Sequence, residues 1–183
     1  MDNITISGLT FSVSVEPDDL HGAPWEVDCG HGPVSDWTTR SKLPGERVLW
    51  SDRGCYRYYD VAEATRIAKR DGWGISPDAR AALVARLGRE PTAGEIAAAA
   101  VESDFQYLRA WCNDEWSYVL VVVTLLDTDG DETWLREAIG GVESNADDYI
   151  AELAQELARH IAEQVGDATY IEHGAKRVQV RKG

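Results

Sequence analysis

Residues 118–126 read YVLVVVTLL. The run is nine residues long, carries no charge and is rich in β-branched side chains, which predicts a buried β-strand and not a helix. Aromatic and acidic residues flank it: WCNDEW at 111–116 before, DTDGD at 127–131 after. The run is read as the central strand of a sheet on which helices pack.

The neighbours supply partners for that strand. Residues 9–15 (LTFSVSV) alternate apolar and polar, the mark of a half-buried strand, and Glu16, Pro17, Asp18 and Asp19 end it. On the C-terminal side, residues 133–142 are expected to pair back, bulged at Gly140 and Gly141. The Asp-Gly step at Asp129-Gly130 marks the hairpin turn between them. Further upstream, residues 46–52 and 55–60 form a second hairpin around Arg53-Gly54. Residues 20–45 hold four glycines and three prolines with few periodic apolar positions. They predict a long ordered loop or arm, packed down by Trp25 and Trp37.

Helix signals are equally local. Asp60 with Glu63 forms a capping-box pattern ahead of a helix that stops at Gly72. Ser76-Pro77 opens a second helix that ends at Gly88. Thr92 with Glu95 opens a third, long one, with Ile96, Ala97, Ala100, Val101, Phe105, Leu108 and Cys112 at helical spacing. Ser144 is expected to cap a last helix over 145–165. There Asp147 and Asp148 meet the positive end of the dipole, Ile150, Leu153, Leu157, Ile161 and Val165 face inward, and Glu152, Glu156 and Glu163 face out. Residues 170–171 and 178–180 add short edge pairing. The expectation is one α+β domain over 1–183, with a small, mostly antiparallel sheet centred on 118–126 and packed by three to four helices.

Composition narrows the class. At 183 residues and 44% hydrophobic content, with seven Trp and seven Tyr, the chain is globular. No run approaches the roughly 20 apolar residues of a membrane span. The first residues carry Asp2 and no basic leader, and Cys29, Cys55 and Cys112 are read as reduced thiols of a cytoplasmic protein.

The net charge of −14 is unevenly placed. Residues 1–39 hold seven acids and no Lys or Arg; residues 40–101 hold eleven bases and eight acids; residues 102–172 hold seventeen acids and three bases; the tail adds four bases. Such a field opposes direct binding to nucleic acid or to acidic membranes and attracts basic partners. The basic stretch from Arg40 to Arg70, interleaved with Trp50, Tyr56, Tyr58 and Tyr59, is read as the internal electrostatic counterpart of the acidic C-terminal half, in preference to a base-stacking surface.

Chemical motifs are sparse. DTDGDE at 127–132 fails the calcium-loop pattern: Gly130 is fourth instead of sixth, and Ala138 stands where the twelfth-position Glu belongs. Cys29 and His31, with His21 nearby, lack the paired spacing of a zinc site, which would need Cys55 or His173 as well. His160 is read as a solvated surface residue. No phosphate loop and no catalytic signature is present, so no metal, no cofactor and no enzyme activity are expected.

The strings HGPVSDWTTR (31–40), PGERVLWSDRGCYRYYD (44–60), EATRIAKRDGW (63–73) and LRAWCNDEWSYVLVVVTLLD (108–127) resemble a family of uncharacterised proteins of tailed phages and prophages of Gram-negative bacteria. The resemblance spans most of the chain and carries no established activity or catalytic residues. It implies a setting, the cytoplasm of an infected bacterium, where small acidic phage proteins often block a host protein. The functional expectation is an acidic inhibitor of a host nucleic-acid-handling defence protein, acting by imitation of DNA. Its candidate partner-binding residues are Asp129, Asp131, Asp147, Asp148, Glu152, Glu156 and Glu163. Two alternatives stand beside it. One is a small-molecule-binding protein or small enzyme with a pocket at the 20–45 arm and the 46–60 hairpin. The other is a phage accessory protein working as a homodimer or larger homo-oligomer.

Overall fold

The structure, a computed structural model, describes residues 2–181 and has an α+β fold in which a four-stranded antiparallel sheet packs against helix. The chain divides into two compact units: residues 1–21 with 116–183, and residues 22–115.

The first unit is built on the sheet, ordered β1-β2-β5-β6. β1 (Asp2–Ile6) and β2 (Leu9–Pro17) form a hairpin through Ser7 and Gly8, both at positive φ. β5 (Tyr118–Leu126) lies inside, between β2 and β6 (Glu132–Glu143). It is buried at Val119 and at every residue from Val121 to Leu126. Burial on both faces explains why its sequence is continuously apolar instead of alternating. α5 (Asp147–Val165) covers one face, setting Leu153, Leu157, Ile161 and Val165 onto Phe11, Val121, Val123 and Leu125. Ile150 is only partly buried.

The sequence placed most of this unit correctly, with three differences. β1 was not anticipated, although Ser7-Gly8 between apolar runs is a turn signal. α5 begins one residue after Ala146, which offers no side-chain cap; Ser144 instead accepts a 2.9 Å hydrogen bond from the Ser117 amide. Finally, β7 (Tyr170–His173) and β8 (Lys176–Gln179) pair with each other as a separate two-stranded hairpin and do not extend the main sheet.

The bulge falls where the glycines stand. Val119 pairs with Val142 and Val121 with Ile139, so Gly140 and Gly141 oppose Leu120 alone. Gly141 sits at φ +71° and donates from its amide to Asp18 Oδ2 at 2.8 Å. The His21 ring, packed 4.2 Å from the Tyr118 ring, fills the space a side chain would need.

The second unit joins the hairpin of β3 (Glu46–Asp52) and β4 (Cys55–Asp60) to helices α2 (Val61–Asp71), α3 (Pro77–Leu87) and α4 (Ala93–Cys112). Its core gathers Leu49, Tyr59, Ala64, Ala68, Val101, Phe105 and Leu108. Thr92 and Glu95 form the expected capping box. Asp60 caps α2 by accepting from the Glu63 amide, but the Glu63 carboxylate turns to Arg66 and does not close a box. The arm contains one short helix, α1 (Pro24–Val27), and reaches β4 through bridges from Val34 to Tyr59 and from Thr38 to Tyr56. Trp25 packs on the core; Trp37 stays 39% exposed, against Trp50 at 5.0 Å.

A side chain at Gly141 must adopt a strained φ and displace the His21 ring. Gly141→Val is therefore expected to cost about 2–4 kcal/mol, read as a lowered urea midpoint of the sheet unit with an unchanged slope.

Candidate functional site

The acidic face is real but interrupted. Asp147, Asp148, Glu152, Glu156 and Glu163 are all exposed, and none forms an ion pair with a described residue. At 100° per residue, Asp148, Glu152, Glu156 and Glu163 fall within one quadrant of α5, a row about 22 Å long. Arg159 falls in the same quadrant, one turn from both Glu156 and Glu163. Asp129 and Asp131 are exposed in the turn after β5, where their amides bond to Asp127 Oδ1. They lie at the opposite end of that strand from the Tyr118–Glu143 pair that leads into α5. Along the sheet they are about 27 Å from the start of α5. Of the seven sequence candidates, the structure gathers Asp148, Glu152 and Glu156, places Glu163 beyond Arg159, sets Asp147 about 100° or more round the helix from them, and leaves Asp129 and Asp131 off the helix, in the turn after β5.

Charge is partitioned between the units. By sequence the sheet unit holds seventeen acids and six bases, and the other unit fifteen acids and twelve bases. Most bases of the second unit are taken up at home. Arg40 bonds Glu46 at 2.6 Å, Arg47 bonds Glu102, Arg66 bonds Glu63, Arg70 bonds Asp71 at 2.6 Å, Arg80 bonds Glu90 at 3.0 Å and Arg89 bonds Glu95 at 2.7 Å. The Arg40 hydrogen bond holds the Glu46 carboxyl below its ordinary value. Hydrogen bonds from Arg89, then from Thr92, lower Glu95 to about 2. Six of the eight bases from Arg40 to Arg70 thus have a carboxylate partner within their own unit, Arg47 through Glu102 of the acidic block.

One contact on the acidic unit is titratable. His160 Nδ1 lies 2.7–2.8 Å from the Glu137 carboxylate, and Gln164 donates to the same group at 2.8 Å. His160 is accordingly not merely solvated.

A second arrangement, in the other unit, was not legible beforehand. Asp104 on α4 collects three groups. His31 Nδ1 is at 2.6 Å from Oδ1; the Gly32 amide donates to Oδ2 at 2.8 Å; the Tyr59 hydroxyl donates to Oδ2 at 2.6 Å. Burial, then the Asp104 carboxylate, pushes the Tyr59 phenol well above its ordinary value, so it stays a donor. His31 stacks on Tyr107 with centroids 5.4 Å apart. Beside this pair is an open pocket lined by His31, Asp104, Tyr107, Trp73, Ser76 and Ser103. With Nδ1 engaged by Asp104, the His31 Nε2 has no partner among the described residues and is not sealed from solvent. An imidazole oriented by a carboxylate, with its second nitrogen open to a pocket, can accept or donate a proton. The only sequence signal was a carboxylate standing between Val101, Phe105 and Leu108 on the apolar side of a helix.

The soft-ligand candidates do not converge. Cys29 is exposed, His31 is held by Asp104, His21 packs on Tyr118, and His173 lies 5.6 Å from the Trp134 ring. Among the described residues, no group of three or more His, Cys, Asp or Glu is placed to hold a metal ion. Burial pushes the Cys112 thiol up to about 11. No described helix is long and apolar enough to cross a membrane. Comparison with family models, with curated proteins and with solved structures found no match.

Two outcomes follow from these contacts. Asp104→Ala removes one acceptor from three donors and is expected to cost about 2–4 kcal/mol, with faster hydrogen exchange at the Gly32 amide. The hydrogen bond to Glu137, then its charge, raises His160 above its ordinary 6.5. A raised folded-state value stabilises the fold below the unfolded value, and that contribution is lost as pH rises through the folded value. In an NMR titration, Glu137→Gln is expected to return His160 to its ordinary range; an unchanged midpoint would assign the shift to another group.

Proposed function

We propose that the protein is a binding protein whose sheet unit engages the basic surface of a protein partner through the solvent face of α5. One observation carries the proposal: Asp148, Glu152 and Glu156 stand exposed and unpaired on the solvent face of α5, on a unit with a formal charge of −11, while most cations of the other unit pair with its own carboxylates. Unpaired surface charge speeds encounter with an oppositely charged patch and selects against like-charged ones. The resemblance to phage and prophage proteins supports a host protein as the partner, and a nucleic-acid-handling defence protein is the host class whose working surface is basic. Inhibition then follows from occupancy of that surface.

A second reading is favoured by His31. Its oriented ring, open Nε2 and the neighbouring Trp73 and Tyr107 suit a small molecule with a flat, hydrogen-bonding group. In this reading the second unit is a ligand-binding module or a small enzyme with His31 as its acid–base group. A small molecule retained by the purified protein and released on His31→Ala would favour it.

The primary reading is tested by pull-down from nuclease-treated host lysate at low and high salt. The expected result is a basic, nucleic-acid-handling protein retained at low salt and released by high salt. The double change Glu152→Lys with Glu156→Lys is expected to weaken that capture at least about tenfold. Retention that ignores both salt and charge reversal would sink the proposal.

A further inference from the structure

The N-terminal half of the acidic row borders a groove between α5 and β6. Ile139 and Glu137 come from the strand; Tyr149, Leu153, Glu156 and His160 come from the helix. Two of its apolar groups remain in solvent, Tyr149 at 55% and Ile139 at 41% exposure, although Ile139 sits on the sheet face that α5 otherwise covers. Large apolar side chains exposed side by side within a charged rim are a feature of interaction surfaces. The fixed charges of the groove are Glu137 and Glu156, with Glu152 one turn away, and neither Lys nor Arg lines it.

β6 is also a terminal strand, paired with β5 on one edge only. Sheet edges are commonly blunted by Pro, Lys or bulges. β6 contains neither Pro nor Lys, and its irregularities lie toward its ends. Between them, residues 136–139 pair regularly with Thr124, Val123, Val122 and Val121. The outer edge of that four-residue stretch is a row of backbone donors and acceptors in strand geometry, directly beside the groove.

We propose that this groove and edge dock an extended basic segment of the partner protein. The segment adds as a strand beside residues 136–139 and, on the face it shares with α5, sets an apolar side chain against Tyr149 and Ile139 and, two residues away, a Lys or Arg toward Glu137 and Glu156. The inference rests on the partner-binding reading above and specifies the shape of what is bound. Charge decides between occupants: a second copy pairing edge to edge would bring Glu137 near its own counterpart, which opposes a dimer through this strand, whereas a cationic strand is attracted.

The probes are two synthetic peptides of about ten residues, one repeating Lys-Ser-Val-Ser, the other repeating Lys-Ser-Ser-Ser, titrated into the ¹⁵N-labelled protein. The valine-bearing peptide is expected to bind about tenfold or more tightly, shifting the amides of residues 136–139 and the Tyr149 ring. Tyr149→Ser combined with Ile139→Thr, both at exposed positions, is expected to remove that advantage while circular dichroism and melting stay unchanged. Equal binding of the two peptides, with shifts confined to the outer face of α5, would overturn strand docking and leave the acidic-face reading standing. If neither peptide shifts any amide, strand docking is overturned; if the lysate pull-down is also empty, the acidic-face reading falls with it.

Discussion

β5 has to satisfy four demands at once: a partner strand on each edge and a dry environment on each face. Its amides and carbonyls are used by β2 and β6, and its side chains from Val121 to Leu126 are all buried. Burial at Val119 and from Val121 to Leu126 excludes charge from those positions, so the acids of this unit are displaced to the turns and to the helix that covers it. The exposed carboxylates of α5 and the turn at 127–131 are in that sense a consequence of the strand. What the strand does not dictate is that they lack cationic partners. Arg136, on β6, pairs across to Thr124 on the sheet face opposite to α5, and Arg159 is the single described base within the helix row.

Asp104 plays the corresponding role in the second unit. A carboxylate one turn from the buried Val101 and Leu108 would be costly if unpaired. Three donors remove that cost: His31 and Gly32 in the arm, and Tyr59 in β4. The approach is close enough that a side chain at Gly32 would overlap the Tyr59 ring and Ala64. The arm is thereby fixed although it contains only one short helix. A long loop held by a buried hydrogen-bond node, not by regular structure, leaves its remaining polar groups free for other use. The open His31 Nε2 is the instance at hand.

Elements were legible in the sequence where a local signal sufficed. The apolar run of β5, the Arg53-Gly54 turn, the Thr92 and Glu95 box and the Gly140-Gly141 bulge each depend on neighbours within a few residues, and each stands as read. Ser144 shows the limit of that approach: a helix-capping residue type at a suitable place spends its hydroxyl on Ser117, 27 positions away. The Asp104 node was invisible for the same reason, since its partners lie 45, 72 and 73 residues distant. Charge behaved likewise. Counting by sequence block set the basic stretch against the acidic half; Arg47 does meet Glu102 of that half, while Glu46, Glu63 and Asp71, within or beside the stretch, are brought to Arg40, Arg66 and Arg70 by helix and hairpin geometry.

The magnitude of the acidic row bears on what kind of partner it suits. Four carboxylates and one guanidinium over about 22 Å leave roughly one net charge per 7 Å of helix. A DNA duplex presents about one per 1.7 Å, and a single strand about one per 3.4 Å. A surface built to grip duplex phosphates would meet about a quarter of the charge density it is shaped for. DNA imitation by α5 alone is thus energetically thin, since each exposed pair contributes well under about 1 kcal/mol. The row serves better as a guide, raising the encounter rate and orienting a basic partner, while stable attachment requires apolar burial and backbone pairing next to it. The exposed Tyr149 and Ile139 and the open edge of β6 are those features, and they sit on the Glu156 side of the row, away from its interruption at Arg159. Charge would bring the partner to the surface, and the groove would determine which segment stays.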